Sequence, residues 1–98
     1  MHIISFKKLR DFFLKEPNSK VGLQDWFKIA KTSNWDNFAD LKNTFNSVDN
    51  VGNNRYVFNI TGNNYRVVAI IRFNIKRVFI RWIGKHKDYD NLKDIDKL

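Results

Sequence analysis

The side chains with the most chemistry to offer fall together in Ile83-Gly84-Lys85-His86-Lys87-Asp88-Tyr89-Asp90. Cutting a ribose–phosphate chain without a metal takes a base for the 2′-hydroxyl, cations for the phosphorane and an acid for the leaving 5′-oxygen. A Gly-led turn carrying two lysines, an imidazole and a phenol can hold all three. An imidazole gains and loses its proton near neutral pH; a phenol is the weaker acid unless neighbouring cations lower its pKa. Each residue also has a plainer reading. A strand-end His is more often structural or merely exposed, Tyr89 can be an aromatic lid over the core, and His2 carries no signal at all.

The charge around this turn is one-sided. The formal net charge is +8. Residues 1–50 balance eight Lys/Arg against six Asp/Glu, whereas Arg55, Arg66, Arg72, Lys76, Arg77, Arg81, Lys85 and Lys87 follow with no acid among them. Such a block repels itself unless a polyanion neutralises it, so phosphate is the natural partner. Nucleic acid is favoured over a membrane surface because the block is not one amphipathic helix.

Strands must position these residues. Arg55 to Ile60 is rich in β-favouring side chains, Thr61-Gly62-Asn63-Asn64 reads as a turn, and Tyr65 to Phe73 and Lys76 to Ile83 read as two further strands of an antiparallel meander. His2-Ile3-Ile4 can add an edge strand, and Asn46 to Asn54 reads as polar and turn-rich. Upstream the period is helical. Phe6, Leu9 and Phe13 share one stripe that Glu16-Pro17 ends; Leu23, Trp26, Phe27 and Ala30 share another behind Ser19 as N-cap; a third helix runs from Asp36 through Phe38, Leu41 and Phe45. The expected fold is α+β: one domain spanning residues 1–98, with N-terminal helices on one face of a twisted antiparallel sheet of three to five strands.

Strand alternation then sorts the cations. Tyr65, Val67, Ala69, Ile71 and Phe73 form the apolar face of their strand, opposite Arg66 and Arg72; Val78, Ile80 and Trp82 form that of the next, opposite Arg77, Arg81 and Ile83. With both apolar faces turned to the helices, Arg66, Arg72, Arg77 and Arg81 crowd the open face as a phosphate-binding floor. The bland reading is four solvated arginines on an exposed sheet.

Other chemistries fail on residue type. No Cys is present, which excludes disulfides, thiolate zinc sites and cysteine nucleophiles. The acids from Asp88 to Asp96 lack the glycine and closing Glu of a calcium loop. One Glu, no Gly-rich phosphate loop and no nucleophile elbow leave carboxylate-pair and triad chemistry without residues. No metal or other cofactor is expected. The longest apolar run, Val67 to Ile71, is far short of the ~18 residues that cross a bilayer, and no targeting segment opens the chain; the expectation is a cytoplasmic protein.

Three segments carry a resemblance: Arg55-Tyr56-Val57-Phe58-Asn59-Ile60, Gly62-Asn63-Asn64-Tyr65-Arg66-Val67-Val68-Ala69, and Ile80 to Asp90. With Met1-His2-Ile3-Ile4 and Ser47-Val48-Asp49-Asn50, they resemble the HigB-type toxins of the RelE superfamily over nearly the whole length. The resemblance implies helices on a twisted antiparallel sheet, metal-free cleavage of messenger RNA on the ribosome, and inhibition by a HigA-type antitoxin with a helix-turn-helix domain. It implies that Arg66 contacts the scissile phosphate, that Lys85, His86 and Lys87 form the basic strand-end turn, and that Tyr89 takes part in acid–base chemistry. Lys85 stands where relatives often carry Thr.

The expected site therefore has Arg66, Arg81, His86 and Tyr89 at the reaction and Arg55, Arg72, Arg77, Lys85 and Lys87 on the flanking RNA backbone. The alternatives are a non-catalytic RNA- or ribosome-binding module on the same basic face, and a protein whose basic face only docks an acidic partner.

Overall fold

The computed structural model describes residues 1–98. The chain runs β1 (His2–Ile4), α1 (Phe6–Lys15), a 3-10 turn (Pro17–Ser19), α2 (Lys20–Thr32), α3 (Phe38–Thr44), β2 (Asp49–Gly52), β3 (Arg55–Ile60), β4 (Tyr65–Arg72), a 3-10 turn (Phe73–Ile75), β5 (Arg77–Lys85), α4 (His86–Asp90) and a last 3-10 turn (Ile95–Lys97). The strands form one sheet in the order β1-β5-β4-β3-β2. Every pairing is antiparallel except that of β1 with β5, which is parallel and extends only from Arg77 to Phe79. No helix is long and apolar enough to cross a membrane.

The helical stripes are buried as their spacing dictates. Leu9 and Phe13 of α1, and Leu23, Trp26 and Ala30 of α2, meet Tyr56, Phe58 and Ile60 of β3, Tyr65, Val67, Ala69 and Ile71 of β4, and Val78 and Ile80 of β5. Trp26, Phe45 and Phe58 pack ring against ring at its centre, with centroids 5.1 and 5.3 Å apart at Phe58. Pro17 ends α1 as expected, but Ser19 does not cap α2. Its backbone is already helical and its hydroxyl donates to Glu16 O at 2.7 Å, because the 3-10 turn runs straight into the helix. The cap at α3 is Asn37, whose side-chain oxygen accepts from Asp40 N at 2.9 Å.

The stretch Asn46 to Asn54, read as turn, contains a strand. Asp49 and Asn50 pair with Val57 and Tyr56, and Asn53 and Asn54 both adopt the positive φ that a tight hairpin requires. Asn tolerates that region better than other non-glycine residues, so the polar residues that mask β2 are those that close its hairpin.

Candidate active site

Arg66 lies on β4, opposite Asn59 of β3 and Gly84 of β5, on the sheet face turned away from α1 and α2. Only 8% of its surface is exposed. One guanidinium nitrogen donates to the carbonyls of Asn63 and Tyr65, both at 3.3 Å, and the other to Asn63 Oδ1 at 3.2 Å. The ion pairs of the molecule are Lys7–Asp11, Lys76–Asp36, Lys85–Glu16 and His86–Asp90. Arg66 is thus a buried cation with neutral partners alone, an arrangement that costs several kcal/mol of desolvation with no anion to offset it.

Tyr89 covers it. The Arg66 guanidinium lies 5.9 Å from the Tyr89 ring centroid, and the Trp82 ring centroid 6.1 Å from it. A pKa lowered by neighbouring cations would have made this phenol the stronger acid. The direction is the reverse: burial pushes it up, Asp49 on β2 and Asp90 add to the rise, and Arg66 opposes them without prevailing. Tyr89 stays protonated at neutral pH.

His86 opens α4, three residues before Tyr89 and so on the same side of the helix. Its backbone N–H donates to Asn64 O at 3.0 Å, which fastens the end of β5 to the Thr61–Asn64 turn that also holds Arg66. Its Nε2 lies 3.5 Å from Asp90 Oδ2, and Nδ1 is buried without a hydrogen-bond partner. The imidazole borders a cleft of about 450 Å³ with Asn18, Asn64, Lys85 and Lys87. Lys85 reaches Glu16 at 3.2 Å, tying this cleft to the end of α1.

The other cations lie elsewhere. Val68 faces Trp82 and Ala69 faces Ile80, so Arg81 is an extra residue in β5, a β-bulge. The bulge reverses the alternation that follows it: Trp82 and Gly84 join Val68 and Arg66 on the far face, and Ile83 packs toward the helical core. Arg81 itself lines a groove between β5 and α1 and is not part of the Arg66 site. Arg72 and Arg77 are cross-strand partners on the Arg66 face, but six residues farther along β4, about 20 Å at 3.3 Å per residue. Arg55, opposite Ile70, is held by the Leu98 carbonyl at 3.3 Å from Nε and 2.7 Å from Nη2.

Nor is this face open. Val57 and Val68 are buried on it, as is Arg66. The last residues of the chain cross it: the 3-10 turn at Ile95–Lys97 packs on β2, and Asn53 Nδ2 donates to Asp96 O at 3.0 Å.

Four residues of the site had not been singled out in these roles. Asn63 supplies two of the three Arg66 acceptors, Asp49 acts on Tyr89, and Trp82 flanks it. Gly84 lies inside β5, where the sequence suggested a turn, and a Cβ there would stand 2.4 Å from two carbons of the Trp82 indole. A glycine inside a strand signals such a close approach; nothing local marks the other three.

Helices on one face of a five-stranded sheet, a buried arginine under a tyrosine on the other, and a basic turn at the end of β5 are what the resemblance to small RelE-like toxins implies. Residues 19–92 match the family described as HigB toxin, RelE-like toxic component of a toxin–antitoxin system. The chain is 34% identical over 94 residues to "mRNA interferase HigB" of Escherichia coli O6:H1, covering 94% of this chain and 91% of that one. It is 36% identical over 92 residues to "mRNA interferase toxin HigB" of Escherichia coli K12 and to "mRNA interferase HigB" of Shigella flexneri, covering 92% of this chain and 88% of each. The chain belongs to the HigB toxin family.

Proposed function

We propose that this toxin is an endoribonuclease that cuts messenger RNA on the translating ribosome, in the cytoplasm, until a HigA-type helix-turn-helix antitoxin binds it. The carrying observation is Arg66: an arginine with 8% exposure and no carboxylate partner fits a site completed by a phosphate. The names of the relatives support RNA as its source. No three His, Asp or Glu side chains come together, so the reaction is drawn with the cations and proton carriers the chain does have.

In this reading the ribose 2′-hydroxyl gives its proton to His86 as the 2′-oxygen bonds to phosphorus. Arg66 holds the non-bridging oxygens as negative charge builds on them. The bond from phosphorus to the 5′-oxygen breaks, and Tyr89, protonated at neutral pH and held so by burial, transfers its proton to the departing oxygen. The products are a 2′,3′-cyclic phosphate, which water can open to a 3′-phosphate, and a 5′-hydroxyl end. Lys85 and Lys87 hold the adjacent backbone, and Arg55, Arg72 and Arg77 serve RNA farther along. With one guanidinium at the phosphate, the site suits a strand already bent by the ribosome.

Induction of the chain alone in bacteria, with mapping of transcript 5′ ends, tests the proposal. Wild type stops growth and creates new 5′-hydroxyl ends; Arg66→Ala abolishes both, and His86→Ala slows cleavage by about 10²–10⁴-fold. Uncut transcripts under wild type, or undiminished cutting by Arg66→Ala, would overturn it. Uncut but tightly bound RNA would point to a non-catalytic module.

A further inference from the structure

Arg81 stands outside the Arg66 site, on a part of the sheet with its own character. β1 covers only Arg77 to Phe79 of β5. From Ile80 to Lys85, β5 has β4 on one side and no strand on the other. Between this free edge and α1 runs a groove of about 370 Å³. Phe12 and Ile83 supply apolar lining, while Lys8, Lys15 and Arg81 make it cationic. Its one acid, Asp11, is already bonded to Lys7 at 2.9 Å. Lys8 Nζ donates to Ile80 O at 3.0 Å, so a cation already occupies a carbonyl of the edge.

A free strand edge beside apolar lining recognises extended polypeptide, whose backbone continues the ladder while alternate side chains enter the groove. Charge narrows the choice. A second copy of this chain would bring the same three cations opposite these, whereas an acidic segment meets them with opposite sign. RNA fits less well, since it has no backbone to continue a ladder and its phosphates meet strand carbonyls. We infer that the β5 edge from Ile80 to Ile83, with the α1 groove beside it, takes an extended acidic protein segment as an added strand.

A synthetic octapeptide of alternating Glu and Val, titrated into the ¹⁵N-labelled chain and followed by backbone amide shifts, tests this. Shifts should concentrate at residues 8–15 and 80–83. The same peptide N-methylated at alternate amides keeps its charge but cannot form the ladder, and should bind at least tenfold more weakly. The double variant Lys15→Glu/Arg81→Glu changes two exposed side chains; it should lose the acidic peptide at least tenfold and accept a Lys–Val peptide instead, its unchanged amide spectrum showing that it folds. Shifts centred on residues 63–66 and 84–89, indifference to N-methylation or to charge reversal, or displacement of the peptide from residues 80–83 by a short RNA would each overturn the inference.

Discussion

Replacing Arg66 by methionine sets stability against function. Arg66 exposes 8% of its surface, and its guanidinium donors reach neutral oxygens at 3.2–3.3 Å, the long end of hydrogen bonding. Withdrawing such a charge from water costs several kcal/mol, while three hydrogen bonds from a charged donor, weakened by their length, return about 1.5 kcal/mol each. Methionine has a similar reach and no charge to desolvate, and the exposed Asn63 oxygens it abandons can be met by water. Arg66→Met should therefore stabilise the fold by about 1–2 kcal/mol, the sign seen when buried ionic groups give way to apolar ones. At roughly 4–8 °C per kcal/mol for a domain of this size, the Tm rises by about 4–16 °C. Thermal unfolding followed by circular dichroism gives the first number, and growth arrest on induction gives the second. A variant that melts below wild type would show that Arg66 holds the fold together and was not kept for a ligand; one that melts higher yet still cuts transcripts would refute its place in the reaction.

Two further outcomes follow from the same geometry. Gly84→Ala puts a methyl 2.4 Å from the Trp82 indole, and overpacking of this kind costs about 1–3 kcal/mol; urea unfolding should show that loss together with slower cleavage, since Tyr89 rests against the displaced ring, and an unchanged urea midpoint would mean that Trp82 has room to move. Stability against pH reports on the phenols: burial raises the pKa of both Tyr56 and Tyr89, so their contribution is fully present below about pH 10 and is lost as pH rises through the folded values. The fall in urea midpoint above pH 10 should be shallower in Tyr56→Phe/Tyr89→Phe than in wild type, and equal slopes would contradict the raised values.

Periodicity alone determines α1, α2 and the face of β4 that they cover. Leu9 and Phe13, then Leu23, Trp26 and Ala30, are buried where a 3.6-residue repeat puts them, and Tyr65, Val67, Ala69 and Ile71 face the helices as a two-residue repeat requires. Arg66, His86 and Tyr89 were legible as candidates by type and spacing, and Arg66 and Tyr89 do meet. Repeats of this kind act over one turn or one pleat, so local sequence is enough to express them. Pairing between strands is another matter. The bulge at Arg81 is the mismatch of two ladders, visible only once β4 lies against β5; it moves Arg81 to the α1 groove and brings Trp82 to the site. β2 exists because β3 offers it a partner. The burial of Arg66, the rise in the Tyr89 pKa through Asp49, and the hold of Leu98 on Arg55 join residues far apart in the chain. Desolvation and Coulomb forces act through space, so their sum at a side chain is decided by whatever the fold places beside it.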